Sequence, residues 1–237
     1  MRTIHIILLA LCLAAYTSPL PAQTSSSDHH SPTTHPAAVH KSAAKPRMLT
    51  VDGYPVTDKM FGSYTNREYS SGPIRSSDMR WFTNSHLRQT LVFQLYTDNF
   101  RDLTFHFSND DIPAGLIDRM ELSREDGDSA SNRQKEKYFK GFLRHAREID
   151  QRYFRSDKGF AIGDSTEKAM RIYGPPDRRF PDRGVDVWTW TFIGENLYDG
   201  KTRLRGKPLA RDSFGYTVTL FFRTGRLIGM ILENDAP

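Results

Sequence analysis

Beyond residue 22 the chain has no cysteine, since its single thiol, Cys12, lies in the apolar stretch near the amino terminus. Once that stretch is removed the chain can form no disulfide, offers no thiolate nucleophile and cannot hold a metal through cysteine. Long hydrophobic runs are equally scarce. Residues 6–15 form one, well short of the ~20 residues needed to span a bilayer, and no later segment is comparably apolar. A transmembrane protein is therefore not expected. Also missing are a glycine-rich phosphate loop, a G-x-S-x-G elbow and an H-E-x-x-H or H-x-x-x-H pair among the core histidines, which leaves no signature of phosphate binding, serine hydrolysis or zinc chemistry. Charge of one sign is not dominant. Lys and Arg number 33 against 28 Asp and Glu, a net charge of +5 that is interspersed along the chain. Such a pattern is a solvated surface, and nucleic acid is not an expected partner.

Present at the start is Met1-Arg2 ahead of the short apolar run, the pattern of a secretory signal peptide with cleavage expected after Ala22. Export to the periplasm or the medium follows. Cys12 comes after Leu9-Ala10-Leu11, but Leu11 is too large before a lipoprotein cut and the apolar run continues past it. A lipid anchor is not expected. Residues 23–47 are rich in Ser, Thr, Pro and His with few large apolar side chains, so they cannot bury enough surface to fold and read as a disordered leader. His29, His30, His35 and His40 are irregularly spaced without carboxylates beside them, so no metal and no cofactor is expected.

The remaining chain divides into a β-rich first module, residues 48–128, and a helix-helix-meander module, residues 129–237. Alternation over 103–108 and again over 116–122 reads as a hairpin, and 218–223 with 227–232 reads as another around Thr224-Gly225. Each follows a further aromatic strand, 91–96 in the first half and 187–192 in the second, so a duplicated meander is the economical reading. Short strands are expected at 49–51 and 79–83, and a turn of helix at 58–61. Between the meanders, Phe139, Phe142, Ala146, Ile149 and Tyr153 recur at helical spacing. They predict one amphipathic helix over 131–155, packed on the second sheet. The fold class is α+β, with antiparallel meander sheets packed by helices.

The segment 158–176 carries a second helix with its punctuation. Asp164 or Ser165 can cap it, Glu167 stands three residues after Asp164, Gly174 supplies the stop, and Pro175 and Pro176 cannot continue. These five residues, Asp164, Ser165, Glu167, Gly174 and Pro175, are read as structural. The motifs Ile162-Gly163-Asp164-Ser165, Tyr173-Gly174-Pro175-Pro176-Asp177 and Trp188-Thr189-Trp190, with the hairpin ending at Leu232, resemble the SmpA/OmlA (BamE-like) outer-membrane-assembly lipoprotein domain. The same unit in tandem resembles the β-lactamase inhibitor protein. The resemblance covers about residues 156–235 and implies a two-helix, meander fold with a protein-binding role. The chain departs from it in lacking an acylated cysteine and disulfides.

No catalytic residue emerges from this reading. Asp110-Asp111 and Asp126-Gly127-Asp128 hold close carboxylates, but they lie between elements where Asp favours turns and lack a calcium-loop pattern. Two features point to binding. Trp188, Trp190 and Phe192 share one strand face; if that face is core, Val187, Thr189 and Thr191 face outward. The connection 194–213 is long for its kind and basic; its Tyr198, Lys201, Arg203, Leu204, Arg205, Lys207 and Arg211 form the candidate interaction surface. The expected function is an exported, non-enzymatic module binding an envelope or extracellular protein, with peripheral contact to anionic lipid as a further partner class. The alternatives are a secreted enzyme inhibitor and a secreted hydrolase using dispersed carboxylates such as Asp110, Asp111 and Asp186.

Overall fold

Strands with two-sided alternation assemble an α+β fold in the computed structural model, which describes residues 45–57, 60, 79–94, 101–120, 122 and 132–235. The strands among them are β1 (Met48–Thr50), β2 (Met79–Asn84), β3 (Gln89–Gln94), β4 (Arg101–Ser108), β5 (Arg147–Glu148), β6 (Arg178–Asp182), β7 (Val185–Ile193), β8 (Leu209–Arg211), β9 (Gly215–Arg223) and β10 (Arg226–Asp235). One sheet has the order β5-β2-β3-β4-β10-β9-β7-β6, and β1 pairs with β8 in a separate two-stranded sheet. The pairing is antiparallel throughout the large sheet except between β2 and β5. The two meanders, β2-β3-β4 and β6-β7-β9-β10, join through the antiparallel pair β4 and β10, with Phe105 opposite Ile231. The sheet thus joins strands from both sides of residue 128, and the described residues belong to one compact unit.

The pair β4–β10 corrects one expectation. Residues 116–122 do not form a hairpin with 103–108, because β10 occupies that edge of β4. The chain instead turns into helix α1 (Ala114–Asp118), whose Leu116 and Ile117 N–H groups donate to the Pro113 carbonyl at 3.0 and 3.4 Å. Gly229 of β10 allows this helix its close approach. A Cβ there would stand 2.9 Å from Pro113 Cγ and 3.0 Å from Leu116 Cδ1.

The long helix expected over 131–155 is also shorter than its spacing predicts. Helix α2 (Asn132–Arg144) ends where the His145 N–H donates to the Phe142 carbonyl, and β5 then joins the sheet. It packs on the first meander, not the second. Phe142 stacks on Trp81 with ring centroids 5.5 Å apart, and Phe139 lies against Trp81 and Phe107. Ile149 and Phe154 join a different cluster, with Phe82, Leu91 and Phe93, on the other side of β2 and β3. No straight helix could deliver Phe142 and Ile149 to opposite faces of one sheet, so the spacing of these residues continues while the helix does not.

Helix α3 (Thr166–Tyr173) lies on the second meander with Ala169 and Tyr173 buried. Trp188, Trp190 and Phe192 are buried beside them, each worth roughly 1.5–3 kcal/mol of apolar burial. The outward assignment of Val187 is corrected. Val187 is buried in the cluster of Phe105, Phe221 and Ile231, because the sheet is covered on both faces at that point. Thr191 is exposed and Thr189 half-buried, as alternation requires. The helical turn expected at 58–61 falls outside the described residues except for Met60, as do Asp126, Asp128 and residues 1–44.

Candidate basic binding clefts

The connection 194–213 is tied at both ends. The Gly194 N–H donates to the Phe214 carbonyl at 3.3 Å and the Asn196 N–H to the Ser213 carbonyl at 3.1 Å. A Cβ on Gly194 would collide with the backbone of Ser213 and Phe214, so this crossing needs glycine. Residues Glu195–Leu197 form a 3-10 turn, and β8 lies parallel to β1 with Ala210 opposite Leu49. Between them a tight turn closes through the Lys207 N–H and the Leu204 carbonyl, 3.0 Å apart. Arg205 occupies this turn at φ 52° and Gly206 at φ 79°. A left-handed arginine is uncommon and carries backbone strain.

This turn is a ridge between two clefts. One, about 490 Å³, lies toward the uncovered face of β7, where Thr191 and Ile193 meet Arg178, Arg203, Leu204 and Arg205. The other, about 500 Å³, lies toward β1 and the carboxyl-terminal end of α3, among Arg47, Met48, Met170, Arg171 and Arg205. Lys207 and Asp177 belong to both, so six basic side chains stand against one carboxylate. That carboxylate is already engaged. Asp177 Oδ2 accepts from the Lys207 ammonium and from the Thr191 N–H at 2.8 Å, while Lys207 also donates to the Thr191 carbonyl at 2.9 Å. Among the described residues no carboxylate pairs with Arg47, Arg171, Arg203 or Arg205. Lys207 thus anchors the turn to β7, and the arginines supply unneutralised charge.

Of the seven residues expected to form the surface, Arg203, Leu204, Arg205 and Lys207 line the clefts, with Arg205 and Lys207 in both. Lys201 and Arg211 are exposed outside them, and Tyr198 is half-buried outside them. The Lys201 N–H caps Asp199 Oδ1 at 2.8 Å. Sequence reasoning missed Arg47, Met48, Met170, Arg171, Asp177 and Arg178, which reach the clefts only through folding. A larger cleft of about 730 Å³ runs along α2 past Arg133, Lys137 and Lys140.

The punctuation residues sit at the ends of α3. Ser165 is its N-cap; its carbonyl accepts from the Lys168 and Ala169 N–H groups at 3.1 and 3.4 Å, while its side chain makes no capping hydrogen bond. Glu167 lies below the usual carboxylate range, chiefly through a hydrogen bond from Ser165. Asp164 Oδ2 accepts from the Ala161 N–H at 2.8 Å and from Lys168 at 2.6 Å, closing the turn before the helix. Gly174 ends the helix at φ 77°, its N–H on the Met170 carbonyl at 3.0 Å, and Pro175 follows.

Several other titratable groups are paired within the fold. Asp110 pairs with Arg88, Asp111 takes a two-pronged contact from Arg223 at 2.6 and 2.9 Å, and Asp186 takes one from Arg179. His106 is fully buried. Its Nε2 lies 2.8 Å from Gln89 Oε1 and its Nδ1 2.8 Å from the Tyr54 hydroxyl, and burial pushes its pKa down to about 3. Asp52 accepts from the Tyr173 hydroxyl and is pushed up to about 8 by burial and then by the neighbouring Asp157. Tyr216 is raised by burial and by the same two carboxylates. These groups clasp residues 50–54 against the sheet. Among the described residues no three or more His, Asp or Glu gather as a metal set, and no helix is long and apolar enough to cross a membrane.

Fold and site together define an α+β protein on an eight-stranded mixed sheet, with a basic double cleft on one connection. No protein-family model matches the chain, and no curated protein or solved structure matches it.

Proposed function

We propose that this chain is an exported, non-enzymatic protein-binding module of the bacterial cell envelope, organised as two BamE-like units in tandem. Its binding face is the pair of clefts on either side of the 204–207 turn. The observation that carries this reading is the concentration of six basic side chains against a single, already engaged carboxylate. Surface complementarity to an acidic partner is the mechanism, and the same charge speeds encounter at low ionic strength. The tandem reading is supported by the two meanders that meet at β4 and β10, and the BamE-like reading by motifs that fall at the start and stop of α3. Export rests on residues 1–22.

The test is recovery of partners by the tagged chain from periplasm and from culture medium. A partner bound by the wild type is expected to be lost with Arg203→Glu and Arg205→Glu together and kept with Lys137→Glu on α2. An outer-membrane protein as partner fits an assembly factor, and a soluble enzyme fits the inhibitor alternative. Recovery unchanged by the two cleft substitutions contradicts the reading.

A further inference from the structure

The cleft beside β1 sets exposed apolar side chains among its arginines. Met48 and Met170, 39% and 40% exposed, are two of the four large apolar side chains that remain exposed among the described residues, and both line it. Leu49, Ile172, Pro175 and Phe192 extend the same lining. Around these stand Arg47, Arg171 and Arg205, none with a carboxylate partner among the described residues. Arg171 lies in the last turn of α3. There it offsets the partial negative charge that a helix end presents to an anion. The cleft's about 500 Å³ falls in the range of pockets that hold a ligand group.

From this pairing we infer that the cleft between β1, the end of α3 and the 205–208 turn receives an acidic peptide segment carrying a large apolar side chain. The inference rests on the protein-binding reading above and names the chemistry of the partner's contact segment. Arginine forks suit carboxylates, which they can hold with two parallel hydrogen bonds. Methionine is flexible and polarisable, so Met48 and Met170 can adapt to an inserted aromatic or branched side chain. A free small anion would use the arginines and leave the apolar walls wet. A flat bilayer surface would meet the exposed cations but could not fill a concavity. An acidic segment with one apolar anchor uses both.

The test is fluorescence anisotropy with the full chain and three labelled short peptides: acidic with one central phenylalanine, acidic without it, and neutral with it. The first is expected to bind at low salt and weaken as salt rises. Each of the other two is expected to bind at least about tenfold more weakly. Arg171→Glu with Arg205→Glu is expected to reduce binding of the first peptide at least about tenfold. Met170→Ala is expected to reduce the advantage of phenylalanine while leaving the salt dependence in place. Lys137→Glu is expected to change neither, and unchanged thermal midpoints confirm that the variants fold. Equal binding of both acidic peptides overturns the proposal, leaving only a charged patch. Binding to phosphatidylglycerol vesicles with no peptide binding overturns it in favour of a membrane surface. No peptide binding at all, while partner recovery still depends on Arg203 and Arg205, overturns the peptide chemistry and leaves the protein-binding reading intact.

Discussion

Asp52 and His106 pull stability in opposite directions with pH. Asp52 has a folded pKa of about 8 against an ordinary value near 4. The folded state therefore keeps a proton that the unfolded chain releases, and stability falls as pH rises through that window, by a few kcal/mol in order of magnitude. Replacing Asp52 with Asn removes the titration. Urea unfolding at a series of pH values between 6.5 and 8, above the range in which His106 acts, is expected to show the decline in the wild type and a nearly flat line in Asp52→Asn. The same slope in both would contradict the assignment. His106, with a folded pKa of about 3, works the other way. Its contribution is present above the ordinary histidine pKa and is lost as pH falls toward 3, because the unfolded chain takes up the proton first. Because Asp52 opposes this slope between pH 6 and 4, the comparison is made in the Asp52→Asn background, where adding His106→Gln is expected to remove the acid-side slope; retention of that slope would place it on other groups. Neither clasp was legible in the sequence, since Asp52 meets Tyr173 across 121 residues and Tyr54 meets His106 across 52. Local spacing holds no trace of such pairs. Capping, a local device, was half legible. Gly174 stops α3 as its neighbours suggest, while Asp164 spends its carboxylate on Ala161 and Lys168.

At the scale of elements, period and punctuation located most strands and their neighbouring partners in sequence, but not the distant ones. The turn through Thr224 and Gly225 joins β9 to β10 where alternation places it, and β2 pairs with β3 across residues 85–88. The edge of β4 went to a strand more than a hundred residues away, which no local pattern encodes. The α2 boundary failed for a related reason: apolar spacing says that residues are buried, not on which side of a sheet. Two glycines test this architecture. Gly229→Ala forces Pro113 and Leu116 away from β10 and is expected to destabilise by about 1–3 kcal/mol in chemical denaturation. Gly194→Ala meets backbone instead of side chain at the base of the 194–213 connection and is expected to cost more than Gly229→Ala. A neutral result at either site would mean that the close approach is relieved at little cost.

For the whole molecule, the sheet carries covering segments on both faces, and the clefts arise where three distant stretches converge: residues 47–49, the end of α3 and residues 203–208. Composition alone hides this. The chain's net charge is only +5, yet folding gathers six basic side chains against Asp177. The basic connection itself was legible, because a long loop with that composition is unusual between strands; its apolar lining was not, because Met48 and Met170 come from elsewhere. The most direct measurement is photo-crosslinking in the producing cell, with a crosslinking residue placed at position 203 and, separately, at position 137. The expected result is a discrete protein adduct at 203 that disappears when Arg171 and Arg205 are changed to Glu, with no corresponding adduct at 137. An adduct at 137 with none at 203, or one at 203 indifferent to those charges, would contradict binding through the basic clefts.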